Sequence, residues 1–154
     1  MPVKTWGDRT IVDLDWKGPK MFSSRSIPKL PSYRGVYLIS SRKMLYGYPH
    51  GRSSLAYIGS GFVADRIDSH VRSNLKVKEL LRDEGTLRAW YARAPHDTHR
   101  CVEQVLFDEF EQRHGDRPIL NHVRPSCPVP WDDFKVRHEG MTYPYDLSRS
   151  DQPR

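Results

Sequence analysis

Residues 35–73 constrain the fold more than any other stretch of the chain. Gly35-Val36-Tyr37-Leu38-Ile39-Ser40 and Leu55-Ala56-Tyr57-Ile58 are aliphatic and aromatic runs of strand length. The polar, glycine-containing segment between them makes the two runs a hairpin with a long loop. Gly59-Ser60-Gly61 ends the second run and leads directly into a helix expected over residues 62–73, where Val63, Ile67 and Val71 form one apolar stripe. A strand that passes through glycines into an amphipathic helix must lay that helix on its own sheet.

The remaining pattern extends this unit. A short helix is expected over residues 76–84, with Val77, Leu80 and Leu81 facing inward and Gly85 stopping it. A third strand spans 87–94 and is closed by Pro95. The longest helix covers 98–114, with Asp97 as N-cap and Gly115 as C-cap. The order β-β-α-α-β-α implies an α+β fold, a small three-stranded antiparallel sheet flanked by helices. The 154 residues suffice for one such domain.

Residues 1–34 read as an N-terminal arm, interrupted by Pro2, Pro19, Pro28 and Pro31 and anchored by Trp6, Trp16 and Phe22. Within it residues 11–16 alternate as a short extra strand. Residues 35–121 form the core. Residues 122–154 are a proline-rich C-terminal extension expected to pack on the core through Trp131 and Phe134. Six of the twelve prolines follow residue 116, so regular structure should be sparse there.

A formal charge of +6 and an isoelectric point near 9.4 favour a polyanionic partner. Between residues 40 and 55 stand Arg42, Lys43, His50 and Arg52 with no acid. No apolar run approaches a membrane span, and the chain starts with no signal peptide. Two cysteines, Cys101 and Cys127, make no disulfide framework, so a reducing cytoplasm is expected.

Glu103 is the first candidate for chemistry. Leu106, Phe107 and Phe110 share its helical face, where a lone carboxylate is costly unless a cation pairs with it. Hard cations such as Mg²⁺ accept a single protein carboxylate together with substrate phosphate oxygens. Arg66 and His70, four residues apart, project from one helical face. An arginine there could neutralise a developing phosphorane charge and a histidine could relay a proton. Tyr37 and Tyr57 lie on the two strands, where nearby cations would favour a phenolate and make either a usable base.

In combination these residues resemble the GIY-YIG nuclease superfamily. Its two strand motifs are matched by Gly35-Val36-Tyr37 and Tyr57-Ile58-Gly59, its helical arginine by Arg66, and the histidine of several branches by His70. Its metal-binding glutamate is matched by Glu103, and its asparagine by Asn121 in Pro118-Ile119-Leu120-Asn121. The likeness runs from Gly35 to Asn121. Valine replaces the middle isoleucine of the first motif, and the loop between the motifs is longer than in compact members.

The resemblance implies a DNA endonuclease that hydrolyses phosphodiester bonds with one metal, Mg²⁺ or Mn²⁺, on Glu103. Tyr37 or Tyr57 would take a proton from the attacking water, His70 would accept or orient it, Arg66 would stabilise the transition state and Asn121 would support the site. Nucleic acid is expected to meet Arg42, Lys43 and Arg52 of the loop, Gly59, Arg72 and Lys76. A double-strand cutter with one site per chain implies a homodimer on DNA. The alternatives are an RNA-directed nuclease and a non-catalytic nucleic-acid-binding module. A zinc site on His96, His99, Cys101 and Cys127 is disfavoured because paired ligand spacing is absent.

Overall fold

Leu55–Phe62 is one unbroken strand rather than a short strand and a glycine turn, and it organises the molecule. The computed structural model describes residues 3–6, 9–43, 45–95, 98–127 and 134–139. In chain order the strands are β1 (Val3–Trp6), β2 (Arg9–Asp15), β3 (Lys17–Phe22), β4 (Arg34–Ser41), β5 (Tyr46–Tyr48), β6 (Gly51–Ser53), β7 (Leu55–Phe62), β8 (Leu87–Arg93) and β9 (Phe134–Glu139). The helices are α1 (Val63–Ser73), α2 (Leu75–Glu84) and α3 (His99–His114).

The α+β class holds, with a larger sheet than expected. The main sheet has four antiparallel strands in the order β3-β8-β4-β7. Its fourth strand, β3, comes from the segment expected to be a loose arm, and Phe22 is buried at its end. The rest of that segment forms a second sheet, β1-β2-β9, in which β2 pairs antiparallel with β1 and parallel with β9. Val12, Leu14 and Trp16 are buried as their alternation predicted. Trp131 lies outside the described residues, as does the chain beyond residue 139. β9 nevertheless gives regular structure to a segment whose prolines argued against it.

Both faces of the main sheet are covered, and β4 is buried along almost its whole length. Val36, Leu38, Ile58 and Ala92 pack against Val102, Val105, Leu106 and Phe110 of α3 and against the second sheet. Tyr37, Ile39, Ala89 and Tyr91 pack against Val63, Ile67 and Val71 of α1 and Val77 and Leu81 of α2. Fully burying side chains of this size stabilises by about 1.5–3 kcal/mol each.

Gly59-Ser60-Gly61 continues the ladder, with Gly61 opposite Gly35 and Ser60 opposite Val36. Gly61 has φ +125°, and a Cβ there would stand 3.1 Å from Arg66 Cγ, so a glycine is needed where the strand bends into α1. The long loop folds into the β5–β6 hairpin. Tyr48 packs edge-on against Phe110 with ring centroids 5.0 Å apart, and the His50 amide donates to the His114 carbonyl at 3.0 Å. The first residue of α3 is His99, with Thr98 as N-cap, and the expected cap Asp97 lies outside the described residues. Gly115 closes the helix in the left-handed conformation. No helix among the described residues is long and apolar enough to cross a membrane.

Candidate active site

The antiparallel register of β4 and β7 sets Tyr37 opposite Gly59 and Ile39 opposite Tyr57. Strand alternation turns both tyrosines toward α1 and turns Val36, Ile58 and Ser60 toward α3. The tyrosine rings are stacked with centroids 6.1 Å apart, and the His70 ring meets them edge-on at 5.7 and 4.6 Å. Tyr37 Oη lies 2.7 Å from His70 Nε2.

Gly59 makes room for this arrangement. A Cβ there would collide with Cζ and Oη of Tyr37 and approach Tyr57 Cε2 to 2.8 Å. Gly59 is buried. Its lack of a side chain accommodates the phenols.

Arg66 stands one helical turn before His70, against Gly61 at the start of α1, and its charge acts on both phenols. Glu103 arrives from the opposite face of the sheet on α3, and Ser60 Oγ donates to its Oε1. The cluster thus straddles the edge strand β7. Asn121 braces that edge: its Oδ1 accepts from the Ile58 amide at 3.0 Å and its Nδ2 donates to the Ile58 carbonyl at 2.9 Å. The Leu120 amide also donates to the Ala56 carbonyl, so the segment caps part of the open ladder.

Desolvation governs the ionisation of the site. Burial, aided by Tyr57, raises the Tyr37 phenol well above its usual range, and Arg66 opposes it. Burial and the Glu103 charge raise Tyr57, again against Arg66. Arg66 thus acts in the direction expected of a cation near a phenol, but burial outweighs it, and the expected neutral-pH phenolate does not follow for the free protein. Burial also raises Glu103, opposed by Ser60, Arg66 and Arg100. His70 is pushed down to about 4 by burial and by Arg66, which leaves it neutral at physiological pH.

The six residues Tyr37, Tyr57, Arg66, His70, Glu103 and Asn121 are gathered around β7. The expected phosphate contacts are not gathered with them. Arg42 and Lys43 follow β4 at the end away from Arg34, roughly 17 Å of strand beyond Tyr37. Their amides donate to the buried Glu84 carboxylate at 3.2 Å. Arg52 lies on the hairpin that docks at the C-terminal end of α3, about 16 Å of helix from Glu103. Arg72 is exposed on α1 and pairs with Asp68 at 2.8 Å, and Lys76 is exposed in the first turn of α2.

Nearer Arg66 is a group the charge pattern did not single out. The Arg34 guanidinium lies 4.9 Å over the ring of Phe62, its cross-strand partner, and that of Arg93 lies 5.1 Å over Tyr33. Phe62 directly precedes α1 and is 45% exposed. An exposed aromatic under a guanidinium near Arg66 is suited to a base and a phosphate. Its sequence signal is the Tyr33-Arg34 pair abutting Gly35, which lay on the boundary drawn for the arm. Ser60, the partner of Glu103, showed only as part of a glycine turn.

Cys101 and Cys127 form a disulfide across 26 residues. This corrects the expectation that the two cysteines take no part in disulfide bonding and removes the ground on which a reducing compartment was expected. It also takes both sulfurs from the zinc alternative, whose His96 lies outside the described residues. Among the described residues no three His, Cys, Asp or Glu side chains cluster as metal ligands. A cation at this site would rest on Glu103 alone, with water and phosphate oxygens completing its shell. One partly desolvated carboxylate fits Mg²⁺ on those terms. Comparison with protein-family models, with curated proteins and with solved structures finds no match to the chain.

Proposed function

We propose that the chain is a divalent-metal-dependent endonuclease of the GIY-YIG kind, acting on DNA. One observation carries the reading: Tyr37, Tyr57, Arg66, His70 and Glu103, which follow the family's order in the sequence, converge on one edge strand from two faces of the sheet. Tyrosine, arginine and a lone carboxylate supply what phosphodiester hydrolysis requires, namely a proton acceptor, a counter-charge and a cation ligand.

In this reading Glu103 would hold Mg²⁺. When bound, the ion would polarise the scissile phosphate and stabilise the leaving oxygen. Arg66, whose charge acts on both phenols, offsets negative charge as the phosphorus becomes five-coordinate. One phenol of the pair accepts the proton of the attacking water. His70, neutral and held against Tyr37, aligns the pair, and Asn121 keeps β7 in register beneath it. Arg34, Arg93 and Phe62 are the nearest groups for the substrate backbone and a flanking base.

Cleavage of supercoiled plasmid with Mg²⁺ or Mn²⁺, comparing wild type with Glu103→Ala, tests the reading. Nicking or linearisation by wild type alone is the expected result. Cleavage by both variants removes Glu103 from the site. Retardation of DNA without cleavage by either favours a binding module, and cleavage of RNA alone reassigns the substrate.

A further inference from the structure

Phe62 ends β7 with 45% of its surface exposed, although it is a large apolar side chain. Single exposed aromatics are ordinary on protein surfaces, so its neighbours decide what it can do. Arg34, its partner in the register, lays its guanidinium over the ring at 4.9 Å. Strand alternation fixes the face of the sheet that the pair occupies. Ile58 and Ser60 alternate with Phe62 along β7, Val36 follows Arg34 by two along β4, and all of these belong to the α3 face.

Phe62 therefore stands on the side of the sheet from which Glu103 meets Ser60, about 7 Å of strand beyond that serine. Arg100, three residues before Glu103 and on its side of α3, is exposed, and its charge acts on that carboxylate. Arg66 lies against Gly61, between Ser60 and Phe62, from the other face. A candidate cation ligand, the charges of Arg34, Arg66 and Arg100, and an open aromatic ring thus share one short strip. The arginines suit phosphates. The ring suits a base, because every base has a π-face to stack, and phenylalanine has no hydrogen-bonding group with which to read its edge. A base within a duplex is already stacked and paired, so it meets a side-chain ring only when unpaired or extruded.

We propose that Phe62, backed by Arg34, is a stacking platform for an unpaired base beside the scissile phosphate, and that the substrate is DNA with an unpaired nucleotide at the cut. This rests on the nuclease reading. With the phosphate on a cation held by Glu103, the adjoining base reaches Phe62 where its strand is single or locally open. The preference is then for the pairing state of the DNA and is indifferent to its sequence.

Fluorescence anisotropy in EDTA tests the platform apart from the chemistry. A labelled strand of deoxythymidines should bind more tightly than a strand of abasic sites, which keeps every phosphate. The advantage should be about tenfold, the scale of base–aromatic stacking. It should survive in Phe62→Trp and vanish in Phe62→Leu, whose folding is checked by its melting temperature. Equal affinities in wild type, a comparison that needs no variant, overturn the proposal, as does an advantage that persists in Phe62→Leu. With Mg²⁺, a duplex carrying a single-stranded branch should be cut at the junction about tenfold faster than the same sequence fully paired. Equal cutting of the two overturns the proposal and leaves the nuclease reading standing. Base-dependent binding that requires Phe62, with neither DNA cut, overturns the nuclease reading and leaves Phe62 as a stacking platform.

Discussion

Tyr37 and His70 meet through a 2.7 Å hydrogen bond inside the layer between the main sheet and α1, with the phenol fully buried and the imidazole 4% exposed. Their contact makes the site part of the core. Changes to the candidate catalytic groups therefore have stability consequences that can be measured without a substrate.

His70 should make the protein sensitive to acid. Its folded pKa of about 4 lies below the usual 6.5, so the unfolded chain takes up a proton before the folded one does. The stability it contributes is complete above pH 6.5 and is lost as the pH falls toward 4, by at most roughly 3 kcal/mol. Urea denaturation at pH 7 and pH 4 should show this loss in wild type, and His70→Gln should reduce it. An equal loss in both would mean that His70 is not buried in its neutral form.

Glu103 should cost stability in the metal-free protein. Burial raises its folded pKa, so its contribution is most favourable below the unfolded value and is lost as the pH rises through the folded one. Glu103→Gln should raise the melting temperature at pH 7, with the gain shrinking near pH 4, while cleavage falls about 10²–10³-fold, a fall typical of a lost transition-state stabiliser. A lower melting temperature at pH 7 would contradict the desolvation argument.

Gly59 should tolerate no side chain. The methyl of Gly59→Ala would collide with the Tyr37 phenol, and overpacking of this kind costs typically 1–3 kcal/mol. The denaturation midpoint should fall, and pairing the change with Tyr37→Phe should restore only part of the loss, because Cζ remains in the way.

Asn121→Ala should leave the Ile58 amide and carbonyl without their partner. The cost should be about 1–3 kcal/mol for each buried group left unsatisfied. Hydrogen exchange at the Ile58 amide should accelerate more than at Leu38, its partner in the register of β4.

Nucleic-acid affinity should depend on Arg34 and Arg93 more than on Arg42 and Lys43. Each of the first two, changed to Ala, should weaken binding and lower the salt slope by about 1. The second pair should change both little, given its place at the far end of β4. A larger effect from Arg42 and Lys43 would move the substrate path to the hairpin side.

What the sequence made legible were local patterns. The apolar stripe of α1, the four-residue spacing of Arg66 and His70, and the carboxylate within the apolar stripe of α3 are short-range relations that a helix imposes directly. The strands β3 and β9 left no such trace. In β3 every residue but Phe22 is exposed, so no alternation marks it, and it exists because the edge of β8 accepts it. β9 depends on parallel pairing with residues more than a hundred positions earlier. Asn74 read as a gap between helices, because its caps on α1 and α2 and its bond to His70 become visible only once the helices are placed. The phenol ionisation was misjudged for a related reason: charge neighbours can be counted from a motif, whereas desolvation depends on the finished core.

The division of the cluster across β7 bears on the order in which the molecule assembles. Tyr37 and Tyr57 need the α1 layer beneath them, while Ser60 meets Glu103 only after α3 has docked on the other side. Neither layer alone contains both the phenols and the carboxylate. If the nuclease reading holds, a chain emerging from synthesis would thus stay inert until both layers have closed on the sheet.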